Sequence, residues 1–225
     1  MNGRLLQRDA LTDAERAEML ALMKEFFLGV NATQFERDLA EKNWVILLED
    51  NGRLRGFSTL QLYTTGVGGT RIRVIYSGDT IVHRDAWGSS ALARTWLKTV
   101  RKWQDDVPLY WLLITSGFRT YRFLPVFWKE FWPRYDAVQR PRLLDALAEE
   151  RFGKQFDAAN GLVRFGTPQL LRNGLKEIPP SRLADPHIKF FAGANSDHAR
   201  GDELVCLCPL TPANQTPVGR RLVAL

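Results

Sequence analysis

The stretch from Thr70 to Thr115 constrains the fold more than any other part of the chain. Thr70-Arg71-Ile72-Arg73-Val74-Ile75-Tyr76-Ser77-Gly78-Asp79-Thr80-Ile81-Val82-His83 reads as a strand, and Arg84-Asp85-Ala86-Trp87-Gly88-Ser89-Ser90 as a turn. Leu92, Trp96, Val100 and Trp103 then fall on one face of a helix, with Arg94, Lys98, Arg101 and Lys102 mostly on the other. Leu109–Thr115 is apolar on both faces, as a central strand is. Strand, helix, strand in this order predicts two parallel neighbours joined by a right-handed crossover. The same order makes an anion site, because the unpaired N–H groups and positive dipole end of a helix start face whatever sits above the turn. Small residues at Gly88, Ser89 and Ser90 let a phosphate come close, so the backbone from Val82 through Trp87 to Ser90 is the expected seat of a phosphate-bearing ligand. An ordinary Ser-capped strand-to-helix connection has the same composition. The turn has no Gly-Lys-Ser or Gly-Lys-Thr and lacks three spaced glycines, which excludes a Walker loop and a dinucleotide fingerprint.

The preceding residues supply a first strand at Arg4–Arg8 and a helix over about 12–29, opened by the capping box Thr12-Asp13-Ala14-Glu15 and carrying Met19, Met23, Phe26 and Val30 at helical spacing. Thr33 with Glu36 predicts a second helix started the same way. Trp44–Leu48, Asn51-Gly52 and Leu54–Tyr63 form a hairpin whose two-residue turn suits type I′ geometry. Thr64–Gly69 reads as a flexible connection to the next strand, and an aromatic-rich helix is expected from about Arg119 to Phe131.

This order of elements over residues 1–135 resembles the GNAT acyltransferase superfamily. In that family the fourth strand ends in a bulge and an Arg/Gln-x-x-Gly-x-Gly/Ala turn, and Asp85-Ala86-Trp87-Gly88-Ser89-Ser90 stands in its place with Asp85 where Arg or Gln is usual. The resemblance implies an α/β (α+β) fold, a mixed and mostly antiparallel central sheet flanked by helices, with a splayed parallel strand pair that admits an acyl-pantetheine arm. It implies acyl-CoA or acetyl-CoA as co-substrate, or an acyl carrier protein thioester, and a small amine or amino-acid acceptor acylated by direct attack. Phe127-Trp128-Lys129-Glu130-Phe131-Trp132 occupies the place of the family's Tyr-x-x-x-Gly-Phe, so Tyr121, two turns earlier, becomes the candidate general acid.

Such chemistry needs an amine made neutral and donors for a developing oxyanion. By strict alternation Ser77, Asp79, Ile81 and His83 share one face of the fourth strand. A charged Asp79 in an apolar strand is costly without a partner, which makes it the first candidate base, unless it faces the surface or pairs with Arg73. His83 titrates near neutrality beside the anion turn and is the second, with a strand-end structural role as its alternative. A catalytically inactive acyl-CoA-binding or regulatory protein of the same shape, and a basic nucleic-acid-associated module, are the competing functional classes.

A formal charge of +6 and a pI near 9.5 favour an anionic partner without choosing one. The basic residues are scattered and no zinc-finger or RNP signature is present, which argues against sequence-specific nucleic-acid binding. No apolar run reaches bilayer length and the N-terminus lacks a signal-peptide core, so no membrane span and a cytoplasmic location are expected. Cys206 and Cys208 alternate in a short strand and read as buried thiols, without the further ligands a metal site needs; no metal cofactor is expected. Residues 136–225, opening with a helix from Pro141 to Arg151, read as an elaboration packed on the open end of the sheet.

Overall fold

The computed structural model describes residues 1–137 and 139–224. Strand β1 (Asn2–Gln7) leads into α1 (Asp13–Phe26), where Thr12 Oγ1 accepts from the Glu15 N–H and the Glu15 carboxylate accepts from the Thr12 N–H, the reciprocal cap read from sequence. Helix α2 (Ala32–Ala40) starts one step earlier than expected. Its cap is Asn31, whose Oδ1 accepts from Thr33 and Gln34 N–H at 2.8 and 3.2 Å, so Thr33 lies inside the first turn. Strands β2 (Trp44–Asp50) and β3 (Arg53–Val67) meet at Asn51 and Gly52, with φ of +50° and +73° as a type I′ turn requires. The expected flexible link at 64–69 is instead a tight turn: β3 runs to Val67 and β4 (Thr70–Val82) begins after Gly68 and Gly69, both at positive φ.

Helix α3 (Ala91–Lys102) crosses from β4 to β5 (Leu109–Thr115), which is parallel to it. The long aromatic helix expected next is broken into α4 (Phe118–Tyr121) and α5 (Phe123–Phe127), because Pro125 has no N–H to bond the Tyr121 carbonyl, and the chain is extended from Trp128. The C-terminal region adds α6 (Arg142–Phe152), β6 (Phe156–Asp157), β7 (Leu162–Val163), α7 (Pro186–Ala194), β8 (Glu203–Pro209) and α8 (Pro217–Ala224). Among the described residues the main sheet has eight strands in the order β1-β2-β3-β4-β5-β8-β7-β6, antiparallel except for β4–β5, while Phe27–Leu28 and Leu170–Leu171 pair separately. No helix among them is long and apolar enough to cross a membrane.

Two register features position the site. Ser58 lies opposite Thr80 and Leu60 opposite Ser77, so Thr59 alone faces Gly78 and Asp79, a β-bulge in β4. The bulge breaks the alternation that would have put Ser77, Asp79, Ile81 and His83 on one face: Ser77 accepts from Trp111 Nε1 at 2.7 Å on the α3 side, whereas Ile81 packs with Phe26, Phe35 and Phe57 under α1 and α2. Pairing of β4 with β5 runs from Arg73–Leu109 to Ser77–Leu113 and stops where the bulge begins. Beyond it the strands part.

The sheet buries both faces. Ile46, Leu60, Ile75, Trp96, Leu97 and Trp111 pack under α3 together with Ile188, Phe191, Leu204, Cys206 and Cys208. Both thiols are fully buried, as their alternation predicts. On the opposite face α6 covers Val74, Tyr76, Leu112 and Val205. Residues after 135 thus enter the same core as those before it, and β8 pairs with β5 from Leu204–Thr115 to Pro209–Tyr110.

Candidate functional site

The parting of β4 and β5 opens a cleft of about 1340 Å³, walled by β4, β5, α2, α4 and the end of α6. Asp79 lines it from the bulge. Gly78 beside it leaves room for a lysine: a Cβ there would sit 2.6 Å from both Lys42 Cε and Thr59 Oγ1. Lys42 is only 5% exposed, donates from Nζ to the Asp38 carbonyl at 2.8 Å, and lies 5.4 Å from the centre of the Tyr76 ring. The other side of Tyr76's surroundings is basic too, with the Arg151 guanidinium 3.6 Å from that ring centre and donating to Gln61 Oε1 at 2.6 Å.

Burial pushes the Asp79 carboxyl up to about 6, although the charge of Lys42 opposes the shift. Burial also lowers the pKa of Lys42, with Asp79 holding it up and Arg151 pressing it down. From the first residue of β8, Glu203 lines the same cleft, and its carboxyl is pushed up to about 8 by burial and then by the negative charge of Asp79. Asp79 therefore ionises first, and its charge adds to the burial that keeps the proton on Glu203. The cleft thus sets a carboxyl raised to about 6, a carboxyl raised to about 8 and a buried lysine side by side.

At the turn before α3 the structure places Val82, Trp87 and Ser89 on the cleft wall, with Gly88 and Ser90 exposed beside them. Trp87 is 43% exposed and its Nε1 donates to the Val82 carbonyl at 2.8 Å, so that carbonyl is already engaged. Ser89 Oγ accepts from Ala91 N–H at 3.1 Å and Ser90 Oγ accepts from Arg94 at 3.2 Å. A Cβ on Gly88 would meet nothing within 4 Å, so the space above the turn is open. Asp85 lies 3.8 Å from Arg55 and 3.4 Å from His83 Nδ1.

The other two catalytic candidates are elsewhere. His83 caps the short turn after β4, its Nδ1 accepting from Asp85 N–H at 3.3 Å and its Nε2 lying 3.3 Å from Glu25, and it does not line the cleft. Tyr121 is fully buried, donates its OH to the Pro133 carbonyl at 2.9 Å and packs on Phe131 and Phe191; burial raises its pKa and the cleft does not reach it. Arg73, considered as a partner for Asp79, pairs with Asp105. Lys42 and Glu203 are the residues that sequence reasoning missed. Nothing in their neighbourhoods marks them, since one follows the end of a helix and the other opens a strand 161 positions later.

The sheet is mixed, its fourth strand is bulged, α3 crosses from that strand to a parallel fifth strand, and the two strands stop pairing at the bulge. This is the sheet arrangement that the sequence resemblance to GNAT acyltransferases implies. No protein-family model and no curated protein sequence matches the chain. Among solved structures it is similar to a conserved Enterococcus faecalis protein of unknown function described as a probable N-acyltransferase, at 15% identity and TM-score 0.42, over 54% of this chain and 31% of that one. It is also similar to an Escherichia coli GNAT family N-acetyltransferase in complex with CoA, at 10% identity and TM-score 0.39, covering 55% and 68% of the two chains. A third is an aminoglycoside 6′-N-acetyltransferase complexed with coenzyme A, at 10% identity and TM-score 0.42, covering 93% and 98%. This chain spans about a third of the Enterococcus protein's length.

Proposed function

We propose that this protein is an N-acyltransferase that moves an acyl group from acyl-CoA or acetyl-CoA, or from a carrier-protein thioester, to a small amine or amino acid by direct attack. The observation that carries the reading is the unpaired edge of β4 from the bulge to Val82, standing across an open cleft from β5 with Asp79 at its inner end. A strand edge that pairs with nothing on one side offers backbone donors and acceptors to an extended ligand, and the amides of a pantetheine arm suit it as an added strand would. Its phosphates then lie at the turn before α3.

The acceptor amine arrives as a cation and loses its proton to Asp79, ionised at neutral pH. Its nitrogen attacks the thioester carbonyl carbon, the C–S bond breaks, and the departing thiolate takes a proton. Tyr121 is sealed in the core, so the proton comes from Glu203, which holds one at neutral pH in the same cleft. Asp79 and Glu203 return to their starting states by exchange with water.

The test is calorimetry with acetyl-CoA followed by thiol-release assays across a panel of primary amines and amino acids. Saturable acetyl-CoA binding and amine-dependent thiol release are expected. Absence of acyl-CoA binding overturns the reading, and binding without turnover for any amine makes the protein a non-catalytic acyl-CoA binder.

A further inference from the structure

Three arginines from distant segments gather around Trp87 on the cleft wall, Arg119 and Arg182 lining the cleft and Arg84 beside it. Arg84 opens the short turn after β4, Arg119 belongs to α4, and Arg182 lies in the turn Pro180–Ala184. The Arg119 guanidinium sits 4.4 Å from the centre of the Trp87 ring and Arg84 reaches the same ring at 5.9 Å. Arg119 also donates to the Leu175 carbonyl at 3.2 Å, which fixes its direction. Among the described residues no carboxylate comes within 4.0 Å of any of the three, although most arginines elsewhere on the chain have one. Arg119 and Arg182 line the same cleft beside Trp87, and Arg84 shares the Trp87 ring with Arg119, so the three charges gather on one side of it; burial, then Arg182 and Arg84, lower the pKa of Arg119.

Like charges gathered without a counter-charge are unfavourable, and a fold keeps them together at a loss unless an anion completes the group. Guanidinium forks match phosphate oxygens, and several of them suit a dianionic monoester better than a diester. With its side-chain guanidinium groups the cluster flanks the turn before α3, whose own seat is made of backbone. Resting on the acyltransferase reading, we propose that Arg84, Arg119 and Arg182 clamp the terminal phosphate monoester on the adenosine end of coenzyme A, with Trp87 holding Arg119 in position. A carrier-protein donor has no adenosine phosphate, so the clamp selects free coenzyme A thioesters over carrier-bound ones.

Calorimetry at low salt with coenzyme A and with 3′-dephospho-coenzyme A tests this on the full chain. Wild type should bind coenzyme A at least tenfold more tightly than the dephospho form. Arg182→Ala, at an exposed position, and Arg119→Ala should each bring that preference to within threefold by weakening coenzyme A alone, whereas Lys98→Ala on the exposed face of α3 should leave it intact. Circular dichroism checks folding, and if Arg119→Ala does not fold, Arg182→Ala decides. Equal affinity of wild type for the two ligands, or a preference that survives Arg182→Ala, overturns the clamp and leaves the acyltransferase reading standing. Binding of neither ligand overturns both.

Discussion

Asp79 and Glu203 line one cleft, and the charge of Asp79 adds to the burial that holds the proton on Glu203. As a general base Asp79 must be ionised, so turnover should fall as pH drops through about 6. Asp79→Asn should lower turnover at neutral pH tenfold or more, within the roughly 10²- to 10⁴-fold range of general acid–base catalysis, with donor affinity unchanged. Steady-state rates beside acetyl-CoA calorimetry separate the two effects, and unchanged turnover removes Asp79 from the mechanism. Glu203 allows a test that needs no substrate. Its carboxyl loses its proton near 4.5 in the unfolded chain and near 8 in the folded one, so the native state binds the extra proton between those values. Its contribution to stability is complete below about 4.5 and is lost as pH rises through about 8. Glu203→Gln should therefore melt increasingly above wild type from pH 6 to pH 9. Parallel Tm curves for the two proteins would show that Glu203 is not held protonated.

At the scale of elements, the turn between β4 and α3 offers its backbone, so bulk should matter more than any single hydroxyl. Ser89→Ala loses the cap on Ala91 N–H, which costs about 1 kcal/mol of helix stability, and should weaken acetyl-CoA by no more than a factor of a few. Gly88→Glu puts a carboxylate into the open space where the phosphates would lie and should abolish binding in a protein that still melts cooperatively. A folded glutamate variant that binds acetyl-CoA normally would place the phosphates elsewhere. What was legible in sequence at this scale was local. The Thr12 cap, the Asn51-Gly52 turn and the crossover between two apolar strands each depend on neighbours a few residues apart. The bulge was not legible, because the residue inserted opposite Thr59 is defined only by the partner strand, and with it went the facing of Asp79. Lys42 and Glu203 escaped for the same reason, being brought to Asp79 by α2 and β8. His83 and Tyr121 were chosen for their chemistry, yet a local hydrogen bond holds one and core packing the other.

For the whole molecule, the question is whether residues after 135 are an appendage or part of the sheet. Strand β8 supplies the second hydrogen-bonded edge of β5, and its Leu204, Cys206 and Cys208 are buried under α3 with Ile188 and Phe191 of α7. Tyr121 of α4 packs against Phe190 and Phe191, so the first segment after the cleft leans on the last third of the chain. Glu203 and Arg182, which line the cleft, also come from this region. A chain ending at residue 135 would leave β5 as an open edge with Leu112 and Leu113 exposed, a template for association. It should show no cooperative thermal transition and should elute from size exclusion as aggregate, even with acetyl-CoA present. A truncated chain that melts cooperatively within a few degrees of the full protein would mean that the acyltransferase-like core stands alone and that β8 is dispensable to it. It would still lack Glu203, so its turnover compared with that of full-length Glu203→Gln would separate the loss of this carboxyl from the loss of the rest of the region.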